Sequence, residues 1–207
     1  MGDTPSKYDR PLQPQVQPLW VTDARFCSPT EITLHLGEKS SVDDFKISDA
    51  NTGEEWFRCK RQASFLAAKT VLYDSGGAAL VSVREKSSSG SPAYALYRGE
   101  DDKQELCRLL GRSTFTSAKL SGTIVNGRTG MPTTISLEAD QWSNKACVVC
   151  LGEPKQGGPP IARLFSDKER LFVTVAANVD AAFVSVLGLC LRRLKEKGAP
   201  PLVANVS

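Results

Sequence analysis

The 207-residue chain has a single histidine, His35, and no apolar run of the roughly 20 residues that a membrane-spanning helix needs. A serine nucleophile requires a histidine base, and His35 is the only histidine that could be that base. The net charge of +3 is too small to predict nucleic-acid binding, and the chain has no arginine-rich tract. We therefore predict a protein that is not an enzyme, that needs no cofactor and that has no transmembrane helix.

The N-terminal residues 1–18 lack the apolar centre of a secretory signal, which predicts an intracellular protein: cytoplasmic, peripheral to a membrane or nuclear. This polar segment cannot bury enough apolar area to fold alone, so we predict that it is disordered. It contains the prolines Pro5, Pro11, Pro14 and Pro18.

Gly2 and Ser6 fit the loose pattern for N-myristoylation. The charged Asp3 and the ring of Pro5 lie inside that pattern and disfavour it. Ordinary removal of the initiator methionine is the interpretation that we prefer, and acylation is the alternative.

Six cysteines are spread through predicted core segments, and without a secretory signal we expect free, buried thiols. They are Cys27, Cys59, Cys107, Cys147, Cys150 and Cys190. Cys147 and Cys150 have the CxxC spacing, but residues three apart in a strand point to opposite faces. The chain has neither a second CxxC nor a pair of histidines, so we predict no metal site.

Short segments in which apolar and polar residues alternate recur along the chain, with turn residues between them. About a dozen strands at 8–12-residue spacing are typical of a barrel or sandwich, and a closed barrel has no exposed edge. The segments are residues 33–36, 44–48, 55–60, 69–73, 79–84, 93–98, 119–125, 133–138, 146–151, 161–165 and 171–175.

Residues 178–197 form the one convincing helix in the sequence. Between residues 181 and 191 it is apolar on every face except at Ser185 and Gly188, so other parts of the chain must enclose it. A barrel wider than about eight strands has room inside, which the helix would fill. The helix residues predicted to form the core are Ala181, Phe183, Val184, Ser185, Leu187, Gly188 and Leu191.

Local signals fix the ends of this helix. Asn178 or Asp180 can cap its start, and the hydroxyl of Ser185 can donate to the carbonyl of Ala181. Gly198 and the prolines after it stop the helix. We therefore predict a barrel domain over residues 19–197 and a flexible tail over residues 198–207.

Four basic residues crowd the C-terminal end of the helix: Arg192, Arg193, Lys195 and Lys197. We call this set the basic end. It has two interpretations. The cations compensate the helix dipole and keep the protein soluble, or they contact an anionic lipid headgroup or a phosphorylated partner.

Three further segments resemble functional motifs. Asp74-Ser75-Gly76-Gly77 is similar to the nucleophile segment of chymotrypsin-like proteases, but the Ala-Ala-His-Cys signature of those proteases is absent. Residues 122–129 differ at one residue from the phosphate-binding GxxxxGK[ST] pattern, but their sequence is typical of a strand and a turn. The acidic segment at residues 100–105 is typical of a solvated loop. We predict hairpin turns and a loop, and no catalytic site.

The order of four segments resembles the LURP-one-related family. Residues 44–50 and 71–77 are similar to its first two hairpins, and Tyr-Ala-Leu-Tyr-Arg-Gly at residues 94–99 is similar to one of its strands. Val-Thr-Val-Ala-Ala-Asn-Val-Asp-Ala-Ala at residues 173–182 is the closest match and leads into the apolar helix in the same way. The resemblance covers about residues 19–195.

The resemblance implies a tubby-like fold, a mainly β structure with a closed antiparallel barrel of twelve strands around a hydrophobic C-terminal helix. Tubby relatives bind phosphoinositides, scramblase relatives associate with membranes, and plant members of the LURP-one-related family are tied to pathogen defence. The implied function is a non-enzymatic binding or adaptor module for phosphoinositides or a membrane surface in stress or defence signalling. The alternative is a structural protein–protein interaction domain that does not bind lipid.

Overall fold

The computed structural model describes residues 10–38, 44–62, 69–88, 91–114, 117–140, 147–168 and 170–198. Over these residues the chain forms twelve antiparallel strands, in which each strand pairs with its neighbour in sequence and β1 pairs with β12 to close the barrel. The strands are β1 Ile32–Glu38, β2 Asp44–Asp49, β3 Glu55–Gln62, β4 Lys69–Asp74, β5 Ala79–Ser88, β6 Ser91–Arg98, β7 Glu105–Ser113, β8 Ser117–Val125, β9 Pro132–Asp140, β10 Cys147–Leu151, β11 Pro160–Asp167 and β12 Arg170–Val175.

One helix, α1, spans Ala181–Gly198, and two short 3₁₀ turns lie at Ala24–Phe26 and Pro154–Gln156. The closed antiparallel barrel with a C-terminal helix confirms the predicted fold class. Gly198 is the last helical residue, and residues 199–207 lie outside the described part of the chain.

The predicted turns form where the sequence places them. Between β2 and β3, the Asp49 carboxylate accepts hydrogen bonds from the backbone N–H groups of Asn51 and Thr52, both at 2.8 Å. Gly53 follows with φ +75°, a left-handed conformation that glycine adopts without steric cost. The backbone hydrogen bond from Thr52 lowers the pKa of Asp49 below its ordinary value.

Strand β7, Glu105–Ser113, corrects the prediction, which has no strand over these residues. Its side chains alternate, with Cys107, Leu109 and Gly111 buried and Arg108 and Leu110 exposed. The adjacent apolar pair at residues 109–110 and the glycine after it hide this alternation in the sequence. The predicted loop over residues 100–105 is therefore one residue too long, because Glu105 begins the strand.

Helix α1 is buried on every face from residue 181 to residue 191. At Gly188 a Cβ atom would lie 2.5 Å from Cδ2 of Leu164 and 3.2 Å from Cδ1 of Leu36. The missing side chain therefore lets β11 and β1 approach the helix. At Gly111 in β7, a Cβ atom would lie 3.1 Å from Cδ1 of Leu194.

The start of α1 is capped by Asp180 and not by Asn178. The Asp180 carboxylate accepts a hydrogen bond from the backbone N–H of Phe183 at 3.0 Å, which is the N-cap geometry. The side chain of Asn178 instead donates to the backbone carbonyl of Gln15 at 2.8 Å. The predicted bond from the Ser185 hydroxyl to the Ala181 carbonyl is present at 2.8 Å.

The second oxygen of Asp180 holds the residues that precede β1. Its Oδ2 atom accepts from the backbone N–H groups of Val21 at 3.0 Å and Thr22 at 2.8 Å, and from the Thr22 hydroxyl at 2.7 Å. Asp180 is only 1% exposed, so burial raises its pKa above the ordinary value, against the lowering effect of these bonds. This one carboxylate therefore joins the N-terminal segment to the start of the helix.

The N-terminal segment differs from the predicted disordered lead over residues 10–18. The backbone N–H of Gln13 donates to the Pro160 carbonyl at 2.7 Å, and Leu12 packs against the hydrophobic core. These contacts join residues far apart in the sequence, so local composition did not reveal them. The prediction for residues 1–9 lies outside the described residues.

We expect Asp180→Ala to lower the free energy of unfolding by roughly 3–5 kcal/mol, because it leaves three buried backbone N–H groups without an acceptor and removes the helix cap. Asp49→Ala is the matched control, because Asp49 accepts two backbone hydrogen bonds in a solvated turn. We expect it to cost about 1 kcal/mol, since water can replace the lost acceptor. Urea unfolding monitored by circular dichroism measures both values, and equal losses would contradict the role assigned to Asp180.

Candidate functional site

At the basic end of α1, the structure brings together Arg192 and Arg193. Both side chains are half-buried. Nη2 of Arg193 donates a hydrogen bond to the hydroxyl of Thr70, a residue of β4 that is only 3% exposed. Arg193 therefore ties the last turns of the helix to the barrel. The side chains of Lys195 and Lys197 lie outside the described part of the structure, so their contact with an anionic ligand stays a prediction.

A cavity lies beside these arginines and is too small for a ligand. Its volume is about 10 Å³, and it is lined by Phe45, Thr70, Leu189, Arg192 and Arg193. A cavity of this size accommodates about one water molecule. A phosphorylated inositol ring would therefore have to bind at the surface beyond these side chains.

The helix itself does not favour an anion at this end. The C-terminal end of a helix carries a partial negative charge, which attracts cations and repels anions. Arg192 and Arg193 compensate that charge from within the last turns of α1. An anionic ligand would depend on cationic side chains alone.

A larger site lies on the outside of the barrel, across β7, β8 and β9, and we call it the outer groove. It has a volume of about 480 Å³. Leu110 is the exposed apolar residue in it, with 53% of its surface accessible. The lining residues are Arg108, Leu110, Ser121, Gly122, Thr123, Thr134 and Glu153.

Strand register places these residues next to one another. Leu110 pairs with Ser121 across β7 and β8, and Thr123 pairs with Thr134 across β8 and β9. A Cβ atom at Gly122 would lie 2.3 Å from the carbonyl oxygen of Arg108. Glycine at this position therefore permits the close pairing of β7 with β8.

The charged side chains of the outer groove form ion pairs with other residues of the chain. The Arg108 guanidinium lies 2.9 Å from the Glu105 carboxylate, which raises the pKa of Arg108. On the other wall, Glu153 forms an ion pair with Lys119. Between these pairs lie three hydroxyl groups and one apolar side chain. Such a surface can bind through hydrogen bonds and apolar contact, and its lining offers no paired nucleophile and base.

Apolar surface continues beyond the outer groove at the tip of the β8–β9 hairpin. Val125 is 50% exposed and Met131 is 64% exposed. The turn between them is closed by a hydrogen bond from the Asn126 N–H to the Met131 carbonyl at 3.1 Å. The predicted strands included β8 and β9 but lacked β7, so the outer groove, which β7 borders on one side, was not predicted from the sequence.

The motifs that resemble catalytic sites are structural. The ring of His35, in β1, packs against Phe172 of β12 with centroids 5.1 Å apart and the two rings tilted by 35°. Ser75 lies in the β4–β5 turn, where the Asp74 carboxylate accepts from the Ala78 N–H at 2.8 Å and from Arg25 at 2.7 Å. Asp74 is thus engaged in the turn and does not orient a histidine.

The described residues contain no cluster of three or more histidine, cysteine or acidic residues that would hold a metal ion. In the segment that resembles the phosphate-binding pattern, residues 122–125 belong to β8. A turn follows them, where the phosphate-binding motif would have a helix. Cys147 and Cys150 are buried in β10, where the register shifts between Val149 and Cys150. All six cysteines are free.

Burial raises the pKa, and so suppresses thiolate formation, at five of these cysteines: Cys27, Cys59, Cys107, Cys150 and Cys190. It raises the pKa of Cys59 and of Cys107 to about 12, and burial, with the charges of Asp180 and Asp23, does the same at Cys27. Because the thiolate is the reactive species, we expect the native protein to react slowly with Ellman's reagent at mildly alkaline pH. In guanidinium chloride all six thiols should react quickly. A rapid burst from the native protein would show an accessible thiol of ordinary pKa and contradict this description.

Comparison with known proteins agrees with this architecture. The model of the LURP-one-related family matches residues 32–192. Protein LURP-one-related 15 of Arabidopsis thaliana is 29% identical over 182 residues, which cover 83% of each chain. Protein LURP1 of the same plant is 25% identical over 197 residues, or 88% of this chain and 93% of that protein.

An X-ray structure of a protein from Arabidopsis thaliana has the same fold, with a TM-score of 0.62 and 24% sequence identity. The match covers 84% of this chain and 98% of that one. Among the described residues, no helix has both the length and the apolar character that crossing a bilayer requires.

Proposed function

The chain belongs to the LURP-one-related family, and from this premise we propose that it is a non-enzymatic protein-binding module that acts as an adaptor in stress or defence signalling. The observation that supports a protein partner is the outer groove, which offers about 480 Å³ of open space beside a half-exposed leucine. The cavity at the basic end is far smaller, at about 10 Å³.

The chemistry of the outer groove fits an extended protein segment. An apolar side chain of the partner would pack on Leu110, and the hydroxyls of Ser121, Thr123 and Thr134 would bond to polar groups of its backbone. Interfaces of this kind combine a small apolar centre with a polar rim, and a few central residues supply most of the affinity. The ion pairs at the two walls would set the orientation of the partner.

Leu110→Asp tests this proposal directly, because it places a charge at the centre of the groove on an exposed side chain that folding does not require. We expect that complexes of the Leu110→Asp variant, purified from native extract, lack specific proteins that accompany the unchanged chain. Mass spectrometry quantifies the proteins in both preparations. A central contact of an interface contributes about 1–2 kcal/mol or more, enough to lower binding about tenfold.

Ala50→Asp is the control, because it adds the same charge at an exposed turn between β2 and β3. Urea unfolding of both variants checks that the barrel is intact. If Leu110→Asp and Ala50→Asp retain the same partners as the unchanged protein, the outer groove is not the docking surface.

The alternative partner is an anionic membrane, which would contact the basic end, where two half-buried arginines precede Lys195 and Lys197. Four basic residues are at the lower limit of a lipid-binding cluster. Lys195→Glu with Lys197→Glu removes that charge and spares the bond from Arg193 to Thr70.

We expect no flotation of the unchanged protein with phosphatidylcholine vesicles that contain phosphatidylinositol bisphosphate at physiological salt, since the local cavity admits about one water molecule. Flotation that disappears in the double lysine variant would contradict this expectation and favour the membrane over a protein as the partner.

A further inference from the structure

Residues 10–18, which we call the strap, have a backbone that their sequence restricts strongly. Proline fixes its own φ near −65° and disfavours the α conformation of the residue before it. Three prolines and the three residues before them make up six of the nine positions, as read from Arg-Pro-Leu-Gln-Pro-Gln-Val-Gln-Pro. The strap is accordingly neither helical nor part of a strand, and its backbone bends at Val16 and Gln17. Such a sequence favours the polyproline II conformation.

The exposure of the strap repeats every third residue. Half-buried residues lie three apart at Leu12, Gln15 and Pro18. The remaining residues after Arg10 are exposed: Pro11, Gln13, Pro14, Val16 and Gln17. Before the bend, this spacing matches the three residues per turn of a polyproline II helix, with one face on the barrel and two faces in solvent.

Five hydrogen bonds fix the strap to the barrel. The backbone N–H groups of Gln13 and Gln15 donate to the carbonyls of Pro160 at 2.7 Å and Ala177 at 3.0 Å. The side chain of Asn178 donates to the Gln15 carbonyl at 2.8 Å.

Near the start of the strap, Nη2 of Arg163 donates to the Arg10 carbonyl at 2.6 Å. At its other end, the side-chain oxygen of Gln17 accepts from Nε of Arg128 at 3.1 Å. The bonds thus hold the strap near its start, in its middle and near its end, and Leu19 continues it into the core with 7% exposure. Since a polyproline II helix makes no hydrogen bonds within itself, these contacts to the barrel determine its position.

We propose that the strap is a displayed polyproline II ligand, and that its partner is a protein domain with an aromatic-lined groove that recognises prolines three residues apart. Pro11 and Pro14 have that spacing and are both exposed. Val16 lies beside them with 99% of its surface accessible. Prolyl rings at this spacing pack between aromatic side chains, as in the SH3, WW and EVH1 modes of recognition.

Attachment to the barrel favours this recognition. A free peptide loses conformational entropy when it binds, whereas the strap has already lost it during folding of the barrel. The inference goes beyond the outer groove, because it concerns another surface and another class of partner. Either surface can fail its test without affecting the other.

The test measures binding of the purified full chain to a panel of purified SH3, WW and EVH1 domains by biolayer interferometry. We expect at least one domain to bind. Pro11→Ala with Pro14→Ala should weaken that binding about tenfold or more. Val16→Asp, at a side chain that folding does not bury, should weaken it as well.

Pro29→Ala with Pro132→Ala is the matched control, because both prolines are exposed and lie outside the strap. This control should bind as the unchanged chain does. A synthetic peptide of residues 10–19 should bind the same domain more weakly than the full chain. Absence of binding across the panel, equal loss in the control variant, or a peptide that binds as tightly as the full chain would each overturn the proposal.

Discussion

Burial of the apolar stretch of helix α1 is the constraint on which the rest of this structure depends. Helix α1 is buried on every face from residue 181 to residue 191, so it has no side that water could cover. The described strands meet this requirement by closing on themselves, with β1 paired to β12. Closure also removes the exposed edges that make an open sheet prone to aggregation.

The polar contacts at the start of α1 also stabilise the buried helix. Asp180 is buried and accepts four hydrogen bonds, three of them from the segment that contains Val21 and Thr22. A buried carboxylate is tolerated when hydrogen bonds replace its lost water. Its position therefore couples the order of the N-terminal segment to the order of the helix. The strap precedes this segment, and hydrogen bonds to the barrel hold it in place.

Local patterns in the sequence predicted the helix, its Ser185 contact and eleven of the twelve strands, because period and turn residues report local structure directly. Strand β7 was missed where Leu109, Leu110 and Gly111 obscure the alternation. The outer groove depends on the register of three strands, and the strap depends on hydrogen bonds to residues about 150 positions away. Such contacts leave no local signal. The basic residues were visible in the sequence, whereas the half-buried state of Arg192 and Arg193 follows from the fold.

Native-state hydrogen exchange of the α1 amides, read by NMR across a series of low urea concentrations, tests the enclosure most directly. If the barrel surrounds the helix, the amides of residues 184–194 can exchange only when the whole barrel opens. Their exchange free energies should then equal the global free energy of unfolding and fall with urea at the same slope. Exchange of these amides through a smaller opening, while the amides of β8 and β9 stay protected, would contradict the account.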